Sequence, residues 1–136
     1  MEALKAITRR VLVIGRNLEN RKIIHDALRQ WNFEIVGSSS LLESAELLNR
    51  QDYSLAFCEP QSEEGAYRDF LSKARRCRVP VVVLSPTSDQ QETLQQAIAL
   101  GASDVLPSPC SKQDVQWMVI WATQQRPGAR RTDLSD

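Results

Sequence analysis

A chain of 136 residues, with 17 Lys and Arg against 17 Asp and Glu and 42% hydrophobic residues, has the balance of one globular domain and no room for a second. Zero formal charge excludes a global field able to hold nucleic-acid phosphates or anionic lipid, and no apolar run nears the roughly 20 residues of a membrane span. The basic cluster Arg126, Arg130 and Arg131 lies in the tail, and MEALKAITRR lacks the apolar stretch of a secretory signal, so a cytoplasmic location is expected.

The first apolar run, Val11 to Ile14, reads as a strand buried on both faces and ending at Gly15. Ile23, Ile24, Ala27, Leu28 and Trp31 then recur at helical steps. Phe33 to Gly37 is a second strand, and Ser40 with Glu43 forms a capping box for a helix carrying Leu41, Leu42, Ala45 and Leu48. Ser54 to Cys58 is a third strand. Pro60 with Glu63, Glu64 and Gly65 marks a loop, followed by a helix with Ala66, Phe70, Ala74 and Cys77 on one face. Val79 to Leu84 is β-branched and apolar, with Pro80 at its start where a missing donor is tolerated. Ser88 and Gln91 open a helix with Leu94, Ala97 and Ile98, closed by Gly101 as a left-handed cap. Asp104 to Leu106 is a short fifth strand, and a final helix runs from near Ser111 to about Gln124.

Strands alternating with helices predict a parallel sheet covered on both faces, a three-layer α/β/α domain. The expected divisions are a lead-in over 1–9, the domain over 10–124 and a tail over 125–136 that is disordered or links to a missing output domain. Cys58, Cys77 and Cys110 are odd in number and far apart, so neither a disulfide framework nor a zinc site is expected. Cys110 precedes a helix N-terminus, where the dipole favours a thiolate. His25 has no nucleophile or second histidine at useful spacing and reads as a solvated or packed side chain.

The five βα repeats, the run Pro80-Val81-Val82-Val83-Leu84-Ser85 and the segment Gly101 to Pro109 resemble the receiver domain of response regulators, over about Arg10 to Thr123. The resemblance implies a flavodoxin-like (βα)5 fold with a site at the carboxyl ends of the strands, where Gly15, Arg16, Glu59, Ser85 and Ser108 should converge. In that family an acidic pair and an aspartate hold magnesium, and the aspartate accepts a phosphoryl group. Here Gly15 and Arg16 stand at the acidic pair, Glu59 at the acceptor and Ser108 at the counter-lysine. Ser85 alone keeps the family's side-chain type, and Val105 stands where an aromatic ring normally switches. The resemblance therefore implies a pseudo-receiver without metal, cofactor or catalysis, one that works through a protein partner in signal transduction. Two compatible readings of Glu59 stand: an ion pair with Arg16, favoured because a partly buried carboxylate needs a partner, and a fixed mimic of the phosphorylated state.

On the final helix, at 100° per residue, Val115, Val119 and Ala122 face inward by alignment with the family, leaving Trp117, Ile120 and Trp121 outward. Outward aromatics predict an interface, and homodimerisation through this helix follows. Two rivals remain. One is the regulatory module of a DNA-binding regulator, with nucleic acid contacted only through a separate output domain. The other is a flavodoxin-like cofactor binder, for which Gly15-Arg16-Asn17-Leu18-Glu19-Asn20 offers only one glycine.

Overall fold

The computed structural model describes residues 9–59, 64–86 and 90–124. Five strands and five helices alternate: β1 Arg10–Ile14, α1 Leu18–Leu28, β2 Glu34–Ser38, α2 Leu41–Arg50, β3 Leu55–Cys58, α3 Glu64–Arg76, β4 Val81–Pro86, α4 Gln90–Leu100, β5 Asp104–Ser108 and α5 Lys112–Gln124. The strands form one parallel sheet in the order β2-β1-β3-β4-β5. This is the three-layer, flavodoxin-like arrangement expected from the sequence. The expected lead-in over 1–9, apart from Arg9, and the tail over 125–136 lie outside the described residues, as do Pro60, Glu63 and the Ser88 cap.

The apolar runs form central strands because side chains alternate across a sheet covered on both faces. Leu12 and Ile14 enter one core with α2, α3 and α4, whereas Val11 and Val13 enter the other with α1 and α5. β3 is fully buried from Leu55 to Cys58. No helix among the described residues is long and apolar enough to cross a membrane.

Local signals account for several helix ends. Ser40 Oγ accepts the Glu43 N–H at 3.0 Å, while the Glu43 carboxylate turns to accept the Ser38 hydroxyl at 3.2 Å and so leaves the box half-formed. Ser111 Oγ accepts the Asp114 N–H at 3.1 Å at the start of α5. Gly101, at φ +118°, closes α4 as expected, its N–H donating to Ile98 O at 3.0 Å and that of Ala102 to Ala97 O at 2.9 Å. Three sequence expectations shift. Trp31 belongs to a 3₁₀ turn, Arg29–Trp31, beyond α1. The inner face of α3 is Tyr67, Phe70, Leu71 and Ala74, with Ala66 and Cys77 exposed. Leu42 is exposed at the start of α2.

Trp121 requires a larger correction, because it is 8% exposed and belongs to the α1/α5 core. Only Trp117, 61% exposed, and Ile120, 36% exposed, face outward. At about 100° per residue the buried residues of α5 run from Trp121 through Met118 and Val115 to Val119, an arc of about 160° that extends past Met118 to take in Trp121. Gln116 marks one flank, its amide donating to Ala27 O of α1 at 2.9 Å. Trp121 closes the other flank, about 60° beyond Met118.

Candidate functional site at the switch point

Strand order reverses between β1 and β3, the switch point at whose carboxyl ends open α/β sheets gather their functional groups. Gly15 follows β1 and Glu59 follows β3, with the Glu59 N–H donating to Ile14 O at 3.0 Å and the Gly15 N–H to Ser38 O at 2.8 Å. The two turns are thereby fixed by backbone bonds before any side chain acts.

Gly15 has φ +142°, a conformation open to glycine and strained for other residues. The turn aims two successive amides at the Glu59 carboxylate. The Arg16 N–H donates to Oε1 at 3.2 Å and the Asn17 N–H to Oε2 at 2.8 Å. A carboxylate at this point also faces the positive end of the α1 dipole. Gly15 supplies the space as well as the turn, since a Cβ there would lie 2.2 Å from Glu59 Cδ. The expected ion pair is therefore corrected: among the described residues the Arg16 guanidinium makes no ion pair with Glu59, and it is the Arg16 backbone that binds. The side chain of Arg16 stays in solvent.

The β5–α5 turn joins the same edge through Asn20, which the sequence reading passed over. Asn20 is 1% exposed on α1, and its Nδ2 donates to Ser108 Oγ at 2.8 Å. Its Oδ1 accepts the Cys110 N–H at 3.4 Å, and its own N–H donates to Asn17 Oδ1 at 3.0 Å. One amide thus ties the α1 cap to the cis Ser108-Pro109 turn. A legible signal existed: an asparagine at the head of the buried stripe Asn20, Ile24, Ala27 and Leu28 has to satisfy its amide inside the protein. Asn20→Ala is expected to lower stability by about 1–3 kcal/mol in urea unfolding, since it strands the Ser108 hydroxyl and the Cys110 amide.

Ser85 is fully buried at the end of β4, engaged with a neighbouring group, and Val105 is buried in the core facing α4. Gly15, Arg16, Glu59, Ser85 and Ser108 all stand at strand carboxyl ends or in the turns that follow them. Contacts draw Gly15, Arg16 and Glu59 into one set, and Ser108 joins through Asn20 and Asn17. Cys110 is buried, and burial raises its thiol above the ordinary range, which corrects the expectation of a thiolate favoured by the helix terminus. Cys58 is pushed up to about 12 by burial and then by the nearby Glu59 charge. Burial also raises Tyr67.

These features define a doubly wound α/β domain with the fold of response-regulator receiver domains. The chain is similar to the receiver domain of a Pseudomonas aeruginosa sensor histidine kinase that coordinates magnesium in its active-site cleft, at 17% identity over 86% of this chain and 98% of that one, TM-score 0.71. It is also similar to the receiver domain of the Saccharomyces cerevisiae response regulator Ssk1 co-crystallised with the phosphotransfer protein Ypd1, at 18% identity over 85% and 89%, TM-score 0.68. An uncharacterised Neptuniibacter caesariensis protein matches at 20% identity over 85% and 87%, TM-score 0.71. No family model matches the chain, and no curated protein matches it in sequence.

Proposed function

We propose that residues 10–124 form a receiver-type signalling module that works through protein contacts and without phosphoryl transfer. The carrying observation is the Glu59 carboxylate held by the Arg16 and Asn17 amides in space that only a glycine at position 15 leaves open. The residues present do not suit a hard divalent cation. Magnesium needs several anionic oxygens at close range, and the Gly15-Arg16 turn offers none from its side chains. Glu59 meanwhile spends both oxygens on amide donors. The Ser108 hydroxyl is engaged by Asn20. The same geometry speaks against a flavin-type phosphate cradle after β1, because a carboxylate of the chain already occupies those amides.

The partner this reading favours is a second copy engaged through α5, on which Trp117 and Ile120 form an exposed apolar pair at i and i+3. A phosphorylation-independent module would make this contact constitutively.

Titration of the ¹⁵N-labelled chain with magnesium and beryllofluoride tests the site. Amide resonances of Gly15, Arg16, Asn17 and Glu59 are expected to stay in place up to millimolar concentrations, and saturable shifts there would refute the reading.

A further inference from the structure

A groove of about 370 Å³ runs between α1 and β2, lined by Leu18, Arg21, Lys22, His25, Ile35 and Gly37, with no residue of α5 in its walls. β2 is the edge of the sheet and pairs only with β1 among the described residues. The Glu34 N–H donates to Arg9 O and Ser38 O accepts the Gly15 N–H, both at 2.8 Å, so Glu34, Val36 and Ser38 turn their peptide groups toward β1. By the alternation of a parallel ladder, Ile35 and Gly37 turn theirs outward along the groove. An exposed strand edge of this kind is a template for another strand.

The groove's charge names what fits it. Arg21 lies across β2 because Gly37 has no side chain, a Cβ there being 2.9 Å from Arg21 Cζ. Its Nη2 donates to Gly15 O at 2.8 Å, while its Nε is buried without a hydrogen-bond partner. Among the described residues no carboxylate pairs with Arg21. Asp26 is the anion nearest the other two basic residues, 3.2 Å from Lys22 Nζ and 3.8 Å from His25 Nδ1. Arg21 and Lys22 against Asp26 leave the groove with excess positive charge. Leu18, 73% exposed, and Ile35 add apolar surface.

We propose that this groove takes an extended acidic segment of a partner protein, added along β2 as a sixth strand. Main-chain bonds to Ile35 and Gly37 would supply affinity, and Arg21 and Lys22 would select acidic side chains. A second copy is a poor occupant, because twofold pairing of two β2 edges sets the Arg21 and Lys22 of both copies against each other. The surface is separate from α5, so α5 self-association can fail while this binding stands, and the reverse.

The probe is a capped eight-residue peptide alternating Glu and Val, titrated into ¹⁵N-labelled protein. Saturable shifts at Leu18, Ile35 and Gly37 are expected, with slowed hydrogen exchange at Ile35 and Gly37. A Lys-Val peptide of equal length should give neither. N-methylation of alternate peptide amides should abolish binding on unmodified protein, and Lys22→Glu/His25→Glu should weaken it about tenfold or more. No shift along β2, or equal binding of the basic peptide, would overturn the proposal. It would also be overturned if glutarate alone reproduced the shifts, marking a small-anion site, or if phosphatidylglycerol vesicles displaced the peptide, marking a membrane surface.

Discussion

Gly15→Ala is expected to lower unfolding stability by about 2–4 kcal/mol in urea, a large effect for adding one methyl group at a turn. Two causes add. A non-glycine residue is strained at φ +142°, and the new Cβ meets the Glu59 carboxyl carbon at 2.2 Å. The carboxylate cannot retreat without losing the Arg16 and Asn17 amides. Glu59→Ala alone should have a smaller effect, about 1–2 kcal/mol, because the carboxylate is only part-buried and water can replace it on the two amides. The double variant separates the causes. With Glu59 truncated the collision disappears and only backbone strain remains, so the double variant should be less destabilised than the sum of the singles by about 1 kcal/mol or more. Strict additivity would show that the carboxylate does not occupy the space left open at Gly15.

The second large effect lies on α5, where two tryptophans four residues apart should behave oppositely. Trp121→Ala removes a buried ring from the α1/α5 core and is expected to destabilise by about 3–5 kcal/mol in urea unfolding, at any protein concentration. Trp117→Ala should change monomer stability by no more than about 0.5 kcal/mol. If α5 pairs two copies, Trp117→Ala should instead shift the sedimentation profile toward monomer. A wild type that stays monomeric across the micromolar range would refute pairing. Equal destabilisation by both substitutions would contradict the burial difference on which the contrast rests.

The fold was legible because its signals are local and redundant. Val11 to Ile14 and Val81 to Leu84 are too apolar for an exposed strand, Ser40 and Ser111 cap the helices they precede, and Gly101 ends α4. The positions of Gly15, Arg16 and Glu59 at strand ends were legible for the same reason. How they interact was not. A carboxylate beside an arginine in sequence-derived proximity suggests an ion pair, yet the direction of a peptide N–H depends on φ at Gly15, and that angle carries no compositional mark. Trp121 was misplaced by a related limit: a helical wheel orders residues around α5 but cannot say how far α1 and the sheet wrap it. Asn20 could have been found, since a buried polar residue at the head of an apolar stripe demands partners.

Gly15 and Glu59 also constrain the order in which this chain can change. A larger residue at position 15 meets the carboxylate at once, so a side chain there is admissible only after position 59 has shortened. Glu59→Asp draws the carboxyl group back by one methylene and gives up the Arg16 and Asn17 amide bonds, but it clears the space beside position 15, whereas the reverse sequence of substitutions passes through a collision. Backbone strain at position 15 remains in either order, but the collision is avoided only when position 59 shortens first, so the energetic effects of the two positions are coupled and not independent.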